Sequence, residues 1–355
     1  MKTTIILTVV VVIVLVCLKV YHTPRQAPVV YAHLVAEHSF AIYHPDNLHI
    51  EPADDKFRYG SLQMYPIFAS AFFITHHKHL GPYLSLHEAL DQNKIVITEL
   101  TDMGNEEEEP TATQQDVEND EAEVNRLFVE NISSDTIIIL GGEVVRGGNQ
   151  DRMIAQDFMI LPHSGKIDIA VYCVEHGRWA PSDDAIFFSV AMDVAPSKVR
   201  KASKAVTPQL KVWEEIATLN EDLEVHTPTE ALASAVEDKE MTSSVEPYKK
   251  HLESIAWPSN VCGVIAVMGK EIVGLDIFAQ PQLFTRYYPS LLSSYSSDAY
   301  AAEDGSMMPY ADVQNFLTTL IANEAALDSL VFTKGTQLKH NGYRLHVTTY
   351  SDSAE

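Results

Sequence analysis

Four runs between residues 124 and 179 constrain this chain more than any other feature: RLFVENI, DTIIILGGEVV, DRMIAQDFMILP and GKIDIAVYCVEHGRW. Each is short, apolar and β-branched, and each is set off by Gly, Asn or Pro. Branched side chains suit a pleated surface, and Gly or Asn accepts the positive φ of a tight turn. The runs therefore predict a meander of short strands joined by tight connections.

The flanking sequence adds helices without making a regular strand–helix repeat. GSLQMYPIFAS opens with a strand around Leu62, Met64 and Ile67. In SLHEALDQNK, Ser85 stands three residues before Glu88, the spacing of a capping box, and IVITEL then reads as a strand. QLKVWEEIATLNEDL spaces Leu210, Trp213, Ile216 and Leu219 at intervals of three, which predicts a helix. Residues 183–206 are ambiguous, and residues 224–245 read as a polar loop or a loosely held helix. VCGVIAVMGKEIVGLDIFA is a hairpin turning at Gly269-Lys270, followed by two helices, PQLFTRYYPSLLSSYSSDAYAA and YADVQNFLTTLIANEA. LVFTKGTQLKHNGYRLHVTTY closes the chain with a second hairpin. This order predicts an α+β fold, a strand-rich meander and hairpin core with packed C-terminal helices.

The N-terminus carries a different signal. The apolar run Ile5 to Leu18 lies between Lys2 and Lys19, so residues 1–21 read as an uncleaved signal anchor, a transmembrane helix. Such runs drive export, and a cleaved secretory signal is the alternative. Residues 22–57 read as a linker and entry segment, and 58–350 as one α+β domain with a variable region at 183–245. Residues 102–123 contain no basic residue and predict a solvated acidic loop without the D-x-D-x-D-G order of a calcium loop.

With 25 basic against 49 acidic residues the formal charge is -24, which disfavours nucleic acid as a partner because phosphates need cations. Cys17 lies in the apolar run, so Cys173 and Cys262 form the only possible disulfide pair, and no metal-ligand spacing is present.

Three local patterns invite chemistry. Gly142 to Gly147 has the G-x-x-x-x-G spacing of a phosphate loop, but Gly148-Asn149 replaces the lysine that holds the terminal phosphates. HEALD ends in Asp91 where a zinc protease has histidine, and the adjacent histidines of HHKH point to opposite faces if that segment is a strand. In CVEHGRW, an extended chain puts Cys173, Glu175 and Gly177 on one face, with His176 and Arg178 on the other. A Cys173 nucleophile paired with His176 is then awkward, and a core cysteine is the plainer reading.

Taken together, GGEVVRGGNQDR, CVEHGRW and GKEIVGLDIFAQPQLF…LLSSYSSDA resemble the ARG and Rhodanese-Phosphatase-superfamily-associated protein domain, where ARG denotes ADP-ribosylglycohydrolase. The likeness covers roughly residues 58 to 348. Its pattern falls on Glu143, Gly147, Gln150 and Arg152, then on Cys173, Glu175, Gly177, Arg178 and Trp179, and later on Asp276, Phe278, Phe284, Ser294 and Tyr295. The resemblance implies a link to ADP-ribose-like or other anionic small metabolites, with no particular cofactor and no established activity.

Two accounts of the matched residues stay open. In one, Gly147, Gln150, Arg152, Arg178, Trp179 and Asp276 bind the ligand, while Glu143, Glu175 and Cys173 supply acid, base or nucleophile. In the other, the same arginines and glutamates bridge one another in a non-catalytic module and lock two hairpins together.

Overall fold

The expected alternation of strand faces is realised in a computed structural model of the protein, which describes residues 41–99, 125–178, 188–205, 207–301 and 306–351. The run Ile5 to Leu18, the acidic loop 102–123 and Trp179 lie outside the described residues. Among the described residues, no helix is long and apolar enough to cross a membrane.

In chain order the first strands and helices are β1 (Leu48–His49), β2 (Arg58–Tyr59), β3 (Leu62–Ala69), α1 (Ala71–His77), β4 (Tyr83–Ser85), α2 (Leu86–Asp91) and β5 (Ile95–Glu99). The meander supplies β6 (Arg126–Asn131), β7 (Thr136–Ile139), β8 (Glu143–Gly147), β9 (Arg152–Ile154), β10 (Phe158–Ile160) and β11 (Lys166–Cys173), followed by β12 (Phe188–Val194). Four helices come next: α3 (Ser197–Ala202), α4 (Pro208–Asp222), α5 (Leu232–Val236) and α6 (Lys239–Glu253). The chain ends with β13 (Val261–Met268), β14 (Glu271–Phe278), α7 (Pro281–Ser296), α8 (Tyr310–Leu320), α9 (Glu324–Lys334), β15 (Gly335–His340) and β16 (Tyr343–Thr349).

The strands form three sheets. The largest has the order β1-β3-β13-β14-β16-β15 with β2 beside β3, and the second has the order β12-β8-β9-β11-β6-β5. A small sheet, β10-β7-β4, contains a parallel pair, β4 with β7. The other pairs are antiparallel, so the fold is α+β as expected.

Period-two alternation explains why helices cover both faces of the large sheet. Val264, Ala266 and Met268 face one core, whereas Cys262, Ile265 and Val267 face the other. Phe284, Tyr287 and Leu291 of α7 fill the first core; Val313 and Leu317 of α8, with Leu327 and Val331 of α9, fill the second. Each such fully buried Leu or Phe contributes about 1.5–3 kcal/mol. The second sheet is layered in the same way. Val145 and Ile154 turn toward Ile137 and Ile160 of the small sheet, while Val144 and Met153 meet Val212 and Ile216 of α4.

Several local expectations are corrected. Of the two readings of residues 224–245 the helical one holds, since they contain α5 and the start of α6, but these are tied down by buried Leu232, Met241 and Val245 and are not loosely held. The segment YADVQNFLTTLIANEA breaks near Asn323, whose side chain caps a new helix, α9, and α9 also absorbs the start of the predicted closing hairpin. HHKH is the end of helix α1, not a strand, and the rings of His76 and His79 pack around Tyr343. The SLHEALDQNK helix forms with its capping box in place.

Two runs expected as strands also split between sheets. DTIIILGGEVV leaves β7 in the small sheet and enters β8 in the second, crossing at Gly141-Gly142. DRMIAQDFMILP does the reverse, from β9 to β10, crossing at Ala155 to Asp157. The crossings lie side by side: Gly142 N–H donates to the Ile154 carbonyl at 2.8 Å, and Gly141 N–H donates to Asp157 Oδ1 at 2.8 Å.

β15 approaches β16 so closely at Gly335 that an added Cβ would stand 1.9 Å from the Thr348 carbonyl oxygen. Gly335→Ala is expected to cost roughly 1–3 kcal/mol by forcing these strands apart. Phe332→Ser, at a side chain 90% exposed, is expected to change stability by less than about 0.5 kcal/mol. Urea unfolding midpoints of the two variants check the contrast.

Candidate functional site

Three groups of polar side chains emerge from this framework: the first holds the motif residues around Arg152 and Arg178, the second holds Asp276 and Tyr295 of the later motif, and the third lies outside the motifs. The first sits in the turn between β8 and β9 and the segment after β11. The β11 strand ends at Cys173 and the chain turns over residues 174–177, so the extended-face argument stops there. Arg178 consequently folds back onto Glu175, its Nε donating to Glu175 Oε2 at 2.8 Å. The same guanidinium donates to the Gly148 carbonyl at 2.9 Å and to Asp151 Oδ1 at 3.2 Å.

The rest of this turn is bonded inward in the same manner. Gly147 N–H donates to Asp151 Oδ1 at 3.3 Å, and the Asp151 N–H donates to Glu175 Oε2 at 3.3 Å. Gln150 is fully buried, donating to the Glu175 carbonyl at 2.9 Å and accepting from Arg152 Nη1 at 3.0 Å. Arg152 Nη2 lies 3.8 Å from Glu99, whose carboxylate accepts from the backbone and side chain of Asn149, both at 2.6 Å. Arg146 pairs with Asp151 at 3.4 Å and with Glu237 at 2.9 Å. Burial, with Glu175 beside it, raises the Asp151 carboxyl above its ordinary range despite Arg146 and Arg178.

The remaining motif residues are dispersed. Glu143 is buried at the start of β8 and accepts from the Leu140 N–H at 2.6 Å. Cys173 is 1% exposed, and burial pushes its thiol up despite Arg152. Cys173 and Cys262 are both free and buried. Asp276 belongs to a different cluster altogether.

That second cluster is a buried relay joining the sheets. His346 of β16 lies between two carboxylates, Nδ1 2.7 Å from Asp157 Oδ2 and Nε2 3.0 Å from Asp276 Oδ1. Its ring stacks on Phe278 at 4.4 Å between centroids. Asp276 also accepts from the Tyr295 hydroxyl and from Arg200 Nη2, the latter at 3.3 Å. Arg200 of α3 reaches Thr348 at 3.3 Å and covers the Tyr350 ring at 5.5 Å. Gly142, at φ +99, is required beside it, because a Cβ there would come within 2.8 Å of Arg200 Cγ.

Charge decides the protonation of this cluster. Burial opposes ionisation of Asp157 and Asp276, but His346 overcomes it at Asp157, and Arg200 with His346 at Asp276, so both carboxyls lie below their usual range. Burial likewise opposes a charged His346, and the two aspartates override it, lifting the imidazole to about 9. Two anions and two cations thus balance in a region closed to water.

The third group lines a cleft of about 870 Å³ beside the relay, between β11, β15 and α9. Lys204, just past α3, enters it half-buried and donates to the Ala155 carbonyl at 3.0 Å. Tyr172, Thr336, Lys339 and Asp328 line other sides, with Phe332 at the rim. Thr336 also donates to Asp157 Oδ1 at 3.3 Å, so the cleft wall and the relay share a hydrogen bond. Burial pushes the Lys204 amine down to about 8; Asp157 opposes that shift and Arg200 adds to it. Among the described residues, no group of three or more His, Cys, Asp and Glu side chains is placed to hold a metal ion.

Asp151, Glu99, Arg200, His346, Asp157 and Lys204 escaped the sequence reading. Asp151 lay inside a quoted motif, but His346 and Asp157 are single polar residues within apolar runs whose partners are distant in sequence.

His346 gives a pH test with a definite sign. Its folded pKa lies above the ordinary value of 6.5, so its stabilisation is complete below pH 6.5 and is lost as pH rises through about 9. Urea midpoints are expected to fall across that interval. In His346→Gln this component of the slope disappears, with stability lower by about 3–5 kcal/mol at pH 6 because Asp157 loses its ion-pair partner and Asp276 loses one of two cations.

The family model described as ARG and Rhodanese-Phosphatase-superfamily-associated Protein domain matches residues 52–352. No curated protein and no solved structure matches the chain.

Proposed function

The chain belongs to this domain family, and from that premise we propose that its folded body binds an anionic small metabolite in the cleft entered by Lys204. The observation that carries this reading is a lysine without a carboxylate partner among the described residues. In a protein of net charge -24, Lys204 enters the cleft, whereas Lys339 on its wall is paired with Asp328 at 2.7 Å. A volume of about 870 Å³ is within the range of small-molecule sites. The Lys204 amine suits phosphate or carboxylate oxygens, and the exposed Phe332 ring at the rim can meet a base or sugar, which fits an ADP-ribose-like ligand.

The motif arginines take a different part in this proposal. Arg178 already donates to Glu175, Asp151 and Gly148, and Arg146 is spread over Asp151 and Glu237. A ligand arriving there would have to displace protein carboxylates. The motifs act as an internal clamp that fixes the second sheet, and the cleft receives the ligand. Export by the run Ile5 to Leu18 completes the proposal, with the body outside the cytoplasmic membrane and the run as its anchor.

Calorimetric titration with ADP-ribose, NAD and ribose 5-phosphate tests the site. Saturable binding by at least one is expected, weakened about tenfold or more in Lys204→Met, since a hydrogen bond to a charged group contributes about 1.5–3 kcal/mol. The same variant is expected to unfold at the wild-type urea concentration. Unchanged affinity in Lys204→Met, with loss in a folded Arg178→Ala variant, would place the ligand at the motifs and overturn the assignment. For the anchor, the full chain is expected to pellet with membranes after alkaline extraction, and a soluble chain would exclude it.

A further inference from the structure

The surroundings of Lys204 point beyond electrostatic attraction. A lysine withdrawn from water ordinarily finds a carboxylate, because an unpaired buried charge is costly. Lys204 has none within ion-pair distance among the described residues; it donates instead to the neutral Ala155 carbonyl at 3.0 Å. Behind it stands Arg200, a permanent cation committed to Asp276 and Thr348. In front lies the cleft, open to a small molecule.

We propose that Lys204 is an amine nucleophile that forms an imine with the carbonyl carbon of an anionic aldehyde or ketone bound in this cleft. The proposal deepens the binding reading and rests on the same cleft. Burial and a neighbouring cation both favour the neutral amine, the form that carries a free electron pair. Lys204 is pushed down to about 8, so an appreciable fraction is neutral near physiological pH. The charged and titratable groups around it are Asp157 and Arg200 on the protein side, Tyr172, whose hydroxyl donates to the adjacent Ser203 carbonyl at 3.4 Å, and Asp328 with Lys339 elsewhere on the cleft wall.

The step balances without an oxidant or reductant. The nitrogen electron pair forms a bond to the carbonyl carbon, and the carbonyl π electrons move to oxygen. A proton passes from nitrogen to that oxygen, giving a carbinolamine. The carbon–oxygen bond then breaks with loss of water, taking the second nitrogen proton, and leaves the neutral imine. An open-chain sugar phosphate has both the anion and the aldehyde that the cleft would select.

The test uses the full chain and pyridoxal 5′-phosphate as an anionic aldehyde probe, with borohydride reduction and peptide mapping by mass spectrometry. Lys204 is expected to be labelled first and saturably, at least tenfold faster than exposed Lys211. Its rate should rise with pH and reach half its maximum near pH 8. Lys204→Arg and Lys204→Met are expected to lose the fast label while circular dichroism remains that of the wild type. Labelling at Lys204 no faster than at Lys211, or a pH midpoint near 10, would overturn the proposal in the wild-type protein itself.

Failure of this step and failure of the binding reading are separable. Titration weakened by Lys204→Met but without fast labelling retains the anion site and removes the imine. Fast labelling of Lys204 that ADP-ribose, NAD and ribose 5-phosphate do not slow retains the reactive amine and removes those anions as its ligands.

Discussion

The hydrogen bonds of His346 to Asp157 and Asp276 are the interaction on which the rest of the molecule depends. Asp276 and His346 belong to neighbouring strands of the large sheet, whereas Asp157 belongs to a crossing between the second sheet and the small one. The imidazolium thereby joins structures that share no backbone ladder. Asp157 also accepts from Gly141 in the adjacent crossing, so both places where the meander changes sheets are fixed by one carboxylate. A neutral side chain of similar size would fill the space but leave Asp157 without its ion-pair partner and Asp276 with Arg200 alone.

The same relay sets the geometry of the cleft. Arg200 bonds Asp276 and thereby pins the short helix α3 against the large sheet. Four residues later Lys204 emerges at the cleft, held by Ala155 at the start of the crossing that ends in Asp157. Thr336, on the far wall, bonds Asp157 directly. Structural charge and candidate chemistry are thus connected through a few side chains. Among the described residues, Lys204 remains without an ion-pair partner beside a cluster whose two anions are already matched by two cations.

Much of the fold was legible in the sequence because its causes are local. The capping box at Ser85, the turn at Gly269-Lys270 and the alternation of Val264, Ile265, Ala266 and Val267 all act within a few residues. The misread segments have equally specific reasons. Residues 224–245 are polar on average, yet Met241 and Val245 recur on one face and pack inward. The face assigned to Arg178 failed because strand β11 ends at Cys173. Past that point a turn, not a pleat, directs the side chains, and Arg178 meets the Glu175 from which an extended chain would separate it.

By itself the sequence determined an α+β body, its family, and the residue types gathered in its motifs, since periodicity, turn chemistry and order along the chain are one-dimensional properties. Only the tertiary structure decided which charges meet. Asp157 and His346 are 189 residues apart, and no local rule links them. Contacts at such separations follow from burying many apolar faces at once, and the polar groups that this burial brings together must then satisfy one another. For that reason the motif arginines turned inward to their own carboxylates, while a lysine outside every motif was left facing the cleft.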